Sequence, residues 1–172
     1  MLTGNASLPI GLSLRPALAN DTPFLEKLFR DARQDLLNIE GEEEFIQTIM
    51  EQQYSVLQEG AGQQYPNAMH FVIEKTQECI GGLIIDFGPN EARVIYLAFI
   101  KAAQGKGYGK GILHGLQLTA TKAGTPLSLV VFNTHFNAIR LYLSMGFQAV
   151  QQNFTHTLML WLPPQQQIAV GV

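Results

Sequence analysis

At 172 residues, with 47% apolar and 15% charged residues and a formal charge of −3, the chain has the size and composition of one globular domain. Its longest apolar runs are far too short to span a bilayer, and no basic segment followed by a hydrophobic stretch opens it. One cysteine, Cys79, excludes an internal disulfide and any Cys-rich metal site, so a cytoplasmic protein without structural metal is expected.

In chain order, Ile10–Leu14 reads as a first strand. Asn20-Asp21-Thr22-Pro23 starts a helix, with a capping side chain ahead of a proline at the first helical position. Leu25, Leu28, Phe29 and Ala32 then recur at i, i+3, i+4 and i+7, giving that helix one inward face. Glu42–Gln58 is a second helix, striped by Phe45, Ile46, Ile49, Met50, Val56 and Leu57. After the polar loop Gly60–Asn67, Ala68–Glu74 and Ile80–Asp86 form a hairpin whose turn holds Cys79, and Gly88-Pro89-Asn90 turns into the long buried strand Val94–Ile100. A helix over Lys110–Ala123 stops at Gly124. Strand Leu127–Phe132, the short helix Asn137–Met145 closed by Gly146, and a hairpin of Phe147–Gln151 with Thr155–Leu162 complete the order. Pro163-Pro164 is expected to end regular structure, leaving a core over about 10–162 and a loose tail over 163–172 of a single domain. The Gln-rich patches Gln151-Gln152 and Gln165–Gln167 are too short to interpret.

Between the buried strand and the helix lies Gln104-Gly105-Lys106-Gly107-Tyr108-Gly109-Lys110-Gly111. Strand, glycine-rich turn and helix start, in that order, make an anion site. Missing Cβ atoms let the backbone approach a ligand, the first helical N–H groups lack internal partners, and the helix dipole favours negative charge there. Two nucleotide readings fail. A Walker loop needs four residues between Gly105 and the Gly-Lys pair, where only three stand, and Gly111 cannot ligate magnesium. A dinucleotide fingerprint needs glycine where Lys110 stands.

The pattern that fits is Gln-x-x-Gly-x-Gly, here Gln104, Gly107 and Gly109. It resembles the pyrophosphate loop of the GNAT superfamily of acetyl-CoA-dependent N-acetyltransferases, and Gln64-Tyr65-Pro66 looks similar to a segment of bacterial members without an assigned acceptor. A second block, Ala138 to Phe147, is similar to that superfamily's Ala-x-x-Leu-Tyr-x-x-x-Gly-Phe segment, and Leu14-Arg15-Pro16-Ala17 resembles the opening strand of many bacterial members. The resemblance implies an α+β fold with a central mixed, mostly antiparallel sheet of about seven strands and about four helices. In it, the strands matching Val94–Ile100 and Leu127–Phe132 run parallel and splay apart into a wedge for the pantetheine arm. It further implies cofactor contacts from the backbone of Phe99, Ile100 and Lys101, from Gln104, Gly105, Lys106, Gly107, Tyr108, Gly109 and Lys110, and from Asn133 or Asn137 beside a His135 that replaces the usual asparagine. Many relatives have proline where Lys101 stands. Tyr142 falls on the family's tyrosine and is expected to protonate the departing thiolate.

Charge distribution agrees with an anionic ligand. Residues 1–91 hold all 14 acids and 5 bases, a formal charge of −9, whereas the 81 residues from Ala92 to Val172 hold 6 bases and no carboxylate side chain. The lysines there raise the local concentration of a phosphate-bearing ligand, and no acid repels it. Six spread bases make no dense patch, so nucleic acid is a poor partner. His70, His114 and His156 lack metal-ligand spacing. Trp161 and the other aromatics read as core, and His135 as capping or packing. The expected reaction is acetyl transfer from acetyl-CoA to an amine of a small molecule or peptide, by a monomer or homodimer. A catalytically idle acyl-CoA-binding module is the alternative, because Val94–Ile100 lacks the family's strand glutamate. The base stays open among Asp86, Glu91, Glu40, Glu42–Glu44 and ordered water.

Overall fold

The computed structural model describes residues 8–32 and 65–170. The expected helix Glu42–Gln58 and the acids Glu40 and Glu42–Glu44 lie outside the described residues. Seven strands form one sheet: β1 Leu12–Pro16, β2 Met69–Lys75, β3 Glu78–Phe87, β4 Ala92–Phe99, β5 Leu127–Phe132, β6 Gln148–Gln152 and β7 His156–Trp161. Their spatial order is β1-β2-β3-β4-β5-β7-β6. All neighbouring pairs are antiparallel except β4 and β5, which run parallel. The helices among the described residues are α1 Thr22–Ala32, α2 Tyr108–Ala123, α3 Phe136–Ser144 and α4 Pro164–Val170. The mixed α+β architecture is the expected one.

Strand alternation divides the apolar residues between two faces. On one, Ile73, Leu83, Ile85, Val94, Leu129, Val131 and Met159 meet Ile112, Leu116 and Ala120 of α2. On the other lies α1. A Cβ on Gly82 would stand 3.1 Å from Leu25 and 3.2 Å from Leu28, so glycine at that position lets the helix settle on the sheet. Each fully buried aliphatic side chain contributes about 1.5–3 kcal/mol to this packing.

Three local details differ from the sequence expectation. First, the β2–β3 turn is only Thr76-Gln77, with φ of 50° and 69°, the left-handed pair whose twist matches the flanking strands. Cys79 therefore lies in β3 opposite Glu74, and its Sγ accepts from Arg15 at 3.7 Å. Second, Asp21 does not cap α1. Its carboxylate takes two 2.8 Å bonds from Arg15 and one from the Leu18 N–H, closing the short 3-10 turn Ala19–Asp21. The guanidinium, followed by that N–H, holds the carboxyl down to about 2. Third, the proline pair does not end regular structure. Pro164 opens α4, since its fixed φ suits a first helical position. Gln165 and Gln166 then donate to the carbonyls of Thr121 and Gly124 at 2.8 and 2.7 Å.

Candidate active site

The two parallel strands touch over three residue pairs only, Ala92 with Leu127, Arg93 with Ser128 and Val94 with Leu129. Beyond them β5 continues along β7 to Phe132, and β4 continues along β3 to Phe99, so a wedge opens between β4 and β5. Its cause is local. Against β3, Val94 pairs with Ile85 and Tyr96 with Ile84, leaving Ile95 as an extra residue at the point where pairing with β5 stops. Such a bulge bends and twists its strand. The Ile100 N–H donates to the Ile80 carbonyl on the β3 side at 2.8 Å. By alternation, Leu97 and Phe99 turn their backbone groups toward the opening. The opening therefore presents Leu97 and Phe99 rather than Ile100, and Leu97 is a residue that sequence reasoning missed.

Past β4 the chain makes a 3-10 turn at Lys101–Ala103, anchored by buried Ala103. Gln104 folds its side chain back to donate to the Phe99 carbonyl at 3.0 Å. Gly105 and Gly107 adopt φ of 73° and 84°, and a Cβ on either would find no atom within 4 Å. Both glycines thus edge open space and hold a backbone shape that other residues resist. Helix α2 begins at Tyr108, its first internal bond running from the Gly111 N–H to the Gly107 carbonyl at 3.0 Å. Among the described residues no carbonyl accepts from the N–H groups of Tyr108, Gly109 or Lys110. Gly109 lies on the end of β4, where a Cβ would stand 3.5 Å from Phe99. Lys101, Lys106 and Lys110 are exposed and form no ion pair among the described residues. Free N–H groups and the dipole of α2 mark its start, and three exposed lysines fall within the ten residues 101–110, chemistry that suits an anionic ligand.

Helix α3 delivers Tyr142. Its C-terminus is a Schellman turn. The Phe147 N–H donates to the Tyr142 carbonyl at 3.0 Å and the Gly146 N–H to that of Leu143 at 3.1 Å, with Gly146 at φ 93°. The Tyr142 and Phe147 rings pack at 5.8 Å, the apolar contact that accompanies such a turn. The Leu-Tyr-x-x-x-Gly-Phe spacing therefore fixes the tyrosine's position through backbone geometry. Ala138, Ile139, Tyr142 and Met145 face the core. Burial pushes the Tyr142 hydroxyl up, so it stays protonated well beyond neutral pH.

Other expected residues are placed less simply. Asn133 accepts from Thr157 at 2.6 Å and donates to the Asn153 carbonyl at 2.9 Å, tying β5 to the β6–β7 turn with both ends of its amide. Asn137 is exposed in the first turn of α3. His135 makes no capping bond through its side chain and packs edge-on to Phe132 at 5.3 Å. Glu91 precedes the closed end of the wedge and pairs with Arg93 at 3.0 Å, while Asp86 lies in register with Arg93. Neither carboxylate stands at the opening. Among the described residues no group of three His, Cys, Asp or Glu is arranged to hold a metal ion, and no helix is long and apolar enough to cross a membrane.

A family model described as the acetyltransferase (GNAT) family matches residues 25–147, well over half the chain. The chain belongs to the GNAT acetyltransferase family. Solved structures agree on the GNAT fold. The PaiA N-acetyltransferase of Thermoplasma acidophilum in complex with coenzyme A superposes with a TM-score of 0.68 at 18% identity, over 89% of this chain and 99% of that one. An acetyltransferase of Thermus thermophilus gives 0.64 at 23% identity, over 90% and 99%. The ribosomal-protein-S18-alanine N-acetyltransferase of Escherichia coli gives 0.64 at 18%, over 88% and 93%. No curated protein matches the sequence.

Proposed function

We propose that this GNAT protein moves an acetyl group from acetyl-CoA directly to a primary amine of a small molecule or peptide. The observation that carries this reading is the continuity of the β4–β5 wedge with the unpaired N–H groups at the start of α2. Backbone amides of Gly105 to Lys110, with Lys106 and Lys110, hold the diphosphate; Gln104 shapes that loop from behind. Backbone groups of Leu97 and Phe99 pair with the pantetheine amides, as a sheet edge pairs with an added strand. Asn137 at the start of α3 is left as the asparagine free to contact the cofactor. Tyr142 gives its proton to the leaving sulfur, a task suited to a hydroxyl that burial keeps protonated. An amine acceptor agrees with the alanine N-acetyltransferase among the structural neighbours.

The test joins calorimetry with acetyl-CoA to thiol release in the presence of two amines, spermidine and a short peptide with N-terminal alanine. Binding with amine-dependent thiol release is expected. Binding without release would favour the idle acyl-CoA-binding module, a reading that the lack of a carboxylate on β4 keeps alive. Absence of binding would remove both.

A further inference from the structure

Helix α3, which carries Tyr142, has no fully buried residue from Phe136 to Ser144. Apolar burial therefore gives it a weaker hold than α2, whose inward face is closed over Ile112, Leu113, Leu116 and Ala120. On that same face of α2, one turn from Leu113 and from Ala120, stands a polar residue, Gln117, only 7% exposed. A buried amide costs stability unless it is hydrogen-bonded. Its Nε2 donates to the Met145 carbonyl at 2.9 Å. Among the described residues, this is the one side-chain hydrogen bond that reaches α3 or its C-terminal cap from another element.

Met145 is the cap in question. Its N–H donates to the carbonyls of Leu141 and Tyr142, both at 3.1 Å, while its own carbonyl takes the Gln117 amide. One residue thus joins the tyrosine's backbone to α2. The next residue, Gly146, is backed by β7, where a Cβ would stand 3.3 Å from the Trp161 indole. The turn that ends α3 is held between α2 on one side and β7 on the other.

Resting on the reading of Tyr142 as the proton donor, we propose that Gln117 is a positioning residue for the transfer: its hydrogen bond to Met145 fixes the end of α3 against α2 and so sets where the Tyr142 hydroxyl points. Tyr142 lies three residues before Met145 on the same helix face, and both side chains pack against the core, so a shift of the cap carries the ring with it. Packing on buried Phe147 sets the depth of the ring, and the hydrogen bond sets the lean of the helix. Gln117 itself exchanges no proton and touches no reacting atom. From Tyr108 to Gln117, α2 rises about 14 Å, so loss of the amide should leave the start of the helix as it is.

Gln117→Met tests this, since it removes the donor at nearly constant side-chain length. With spermidine or the alanine peptide as acceptor, kcat is expected to fall about tenfold, the scale of a proton donor displaced by less than 1 Å. The fall should not exceed that in Tyr142→Phe, because a displaced donor does no worse than a missing one. The acetyl-CoA Kd should stay at the wild-type value. A lost hydrogen bond lowers Tm whatever its role, so the deciding readout is a double-mutant cycle, run well below the melting temperature of every variant. In the Tyr142→Phe background, Gln117→Met should cost nothing further in kcat. Equal losses in both backgrounds would make Gln117 merely structural and overturn the assignment. So would an unchanged kcat in the single variant, and in either case the transferase reading survives. Gln117→Leu, of similar volume and suited to a buried helix face, enters the same cycle with the same outcomes should Gln117→Met not fold. A wild-type kcat in Tyr142→Phe would remove Tyr142 and Gln117 together while leaving the transfer itself standing. Acetyl-CoA binding with no turnover of either amine would end the transferase reading and this assignment with it.

Discussion

The two ends of α2 are built from similar residues and treated in opposite ways. At the C-terminus Gly124 sits at φ 69°, its N–H and that of Thr125 donate to Thr121 and Ala120, and Gln165 and Gln166 reach across to Thr121 and Gly124. Carbonyls that a helix leaves orphaned are thereby satisfied by the protein itself. At the N-terminus Gly107 sits at φ 84°, yet no side chain caps the helix, and the N–H groups of Tyr108 to Lys110 find no carbonyl among the described residues. An N-terminus left uncompleted on a helix whose C-terminus the chain completes supports the proposal that its N–H groups serve the cofactor's diphosphate.

A matched pair of substitutions would break this contrast most directly. Gly107→Ala and Gly124→Ala each place a Cβ at a left-handed φ, costing about 1–2 kcal/mol of stability by the same mechanism. Their effects on acetyl-CoA should diverge. The Cβ at 107 enters the open space of the loop and spoils N–H groups aimed at the diphosphate. Loss of two charge-assisted hydrogen bonds at about 1.5–3 kcal/mol each lowers affinity about 10²-fold or more. Gly124→Ala should leave affinity unchanged. Calorimetry and thermal melting of both variants decide it, and equal affinities would mean that the open end is not the phosphate site.

How far the sequence foretells these features depends on how local their causes are. The glycine loop and the Gly146-Phe147 turn are legible because positive φ and unpaired N–H groups are demands made within a few residues. Strand Leu127–Phe132 is legible because its apolar run is bounded by turn residues on both sides. The bulge at Ile95 is not, since it exists only as a register between β3 and β4. Helix α4 reads as a tail because its glutamines find their partners, Thr121 and Gly124, some forty residues away.

The effect of Gly107→Ala on binding is sharpened by comparison with Tyr142→Phe. That change removes one oxygen from a ring whose position is fixed by the Schellman turn and by Phe147, so packing is preserved. Turnover should fall about 10²-fold, the typical contribution of a positioned proton donor. The acetyl-CoA Kd should not move, in contrast to Gly107→Ala. Steady-state rates together with calorimetry separate the two, and an unchanged kcat would remove Tyr142 from the reaction.

The smallest expected effect comes from the closed end. Gln165→Ala combined with Gln166→Ala removes two hydrogen bonds to α2 carbonyls. Those carbonyls lie near the surface, so water replaces the lost donors and the cost falls at the low end of the usual range, about 1 kcal/mol for the pair. For a chain of this size the melting temperature should drop about 2–4 °C. Amide exchange should quicken in the last turn of α2 and in α4, while acetyl-CoA affinity stays at the wild-type value. The independence of the two ends follows from the helix itself. Ile112, Leu113, Leu116 and Ala120 are buried along its length, so fraying of the last turn is arrested before it reaches the first. A fall in affinity in this double variant would show that α4 supports the phosphate end through the helix, and the two ends would then have to be treated as one site.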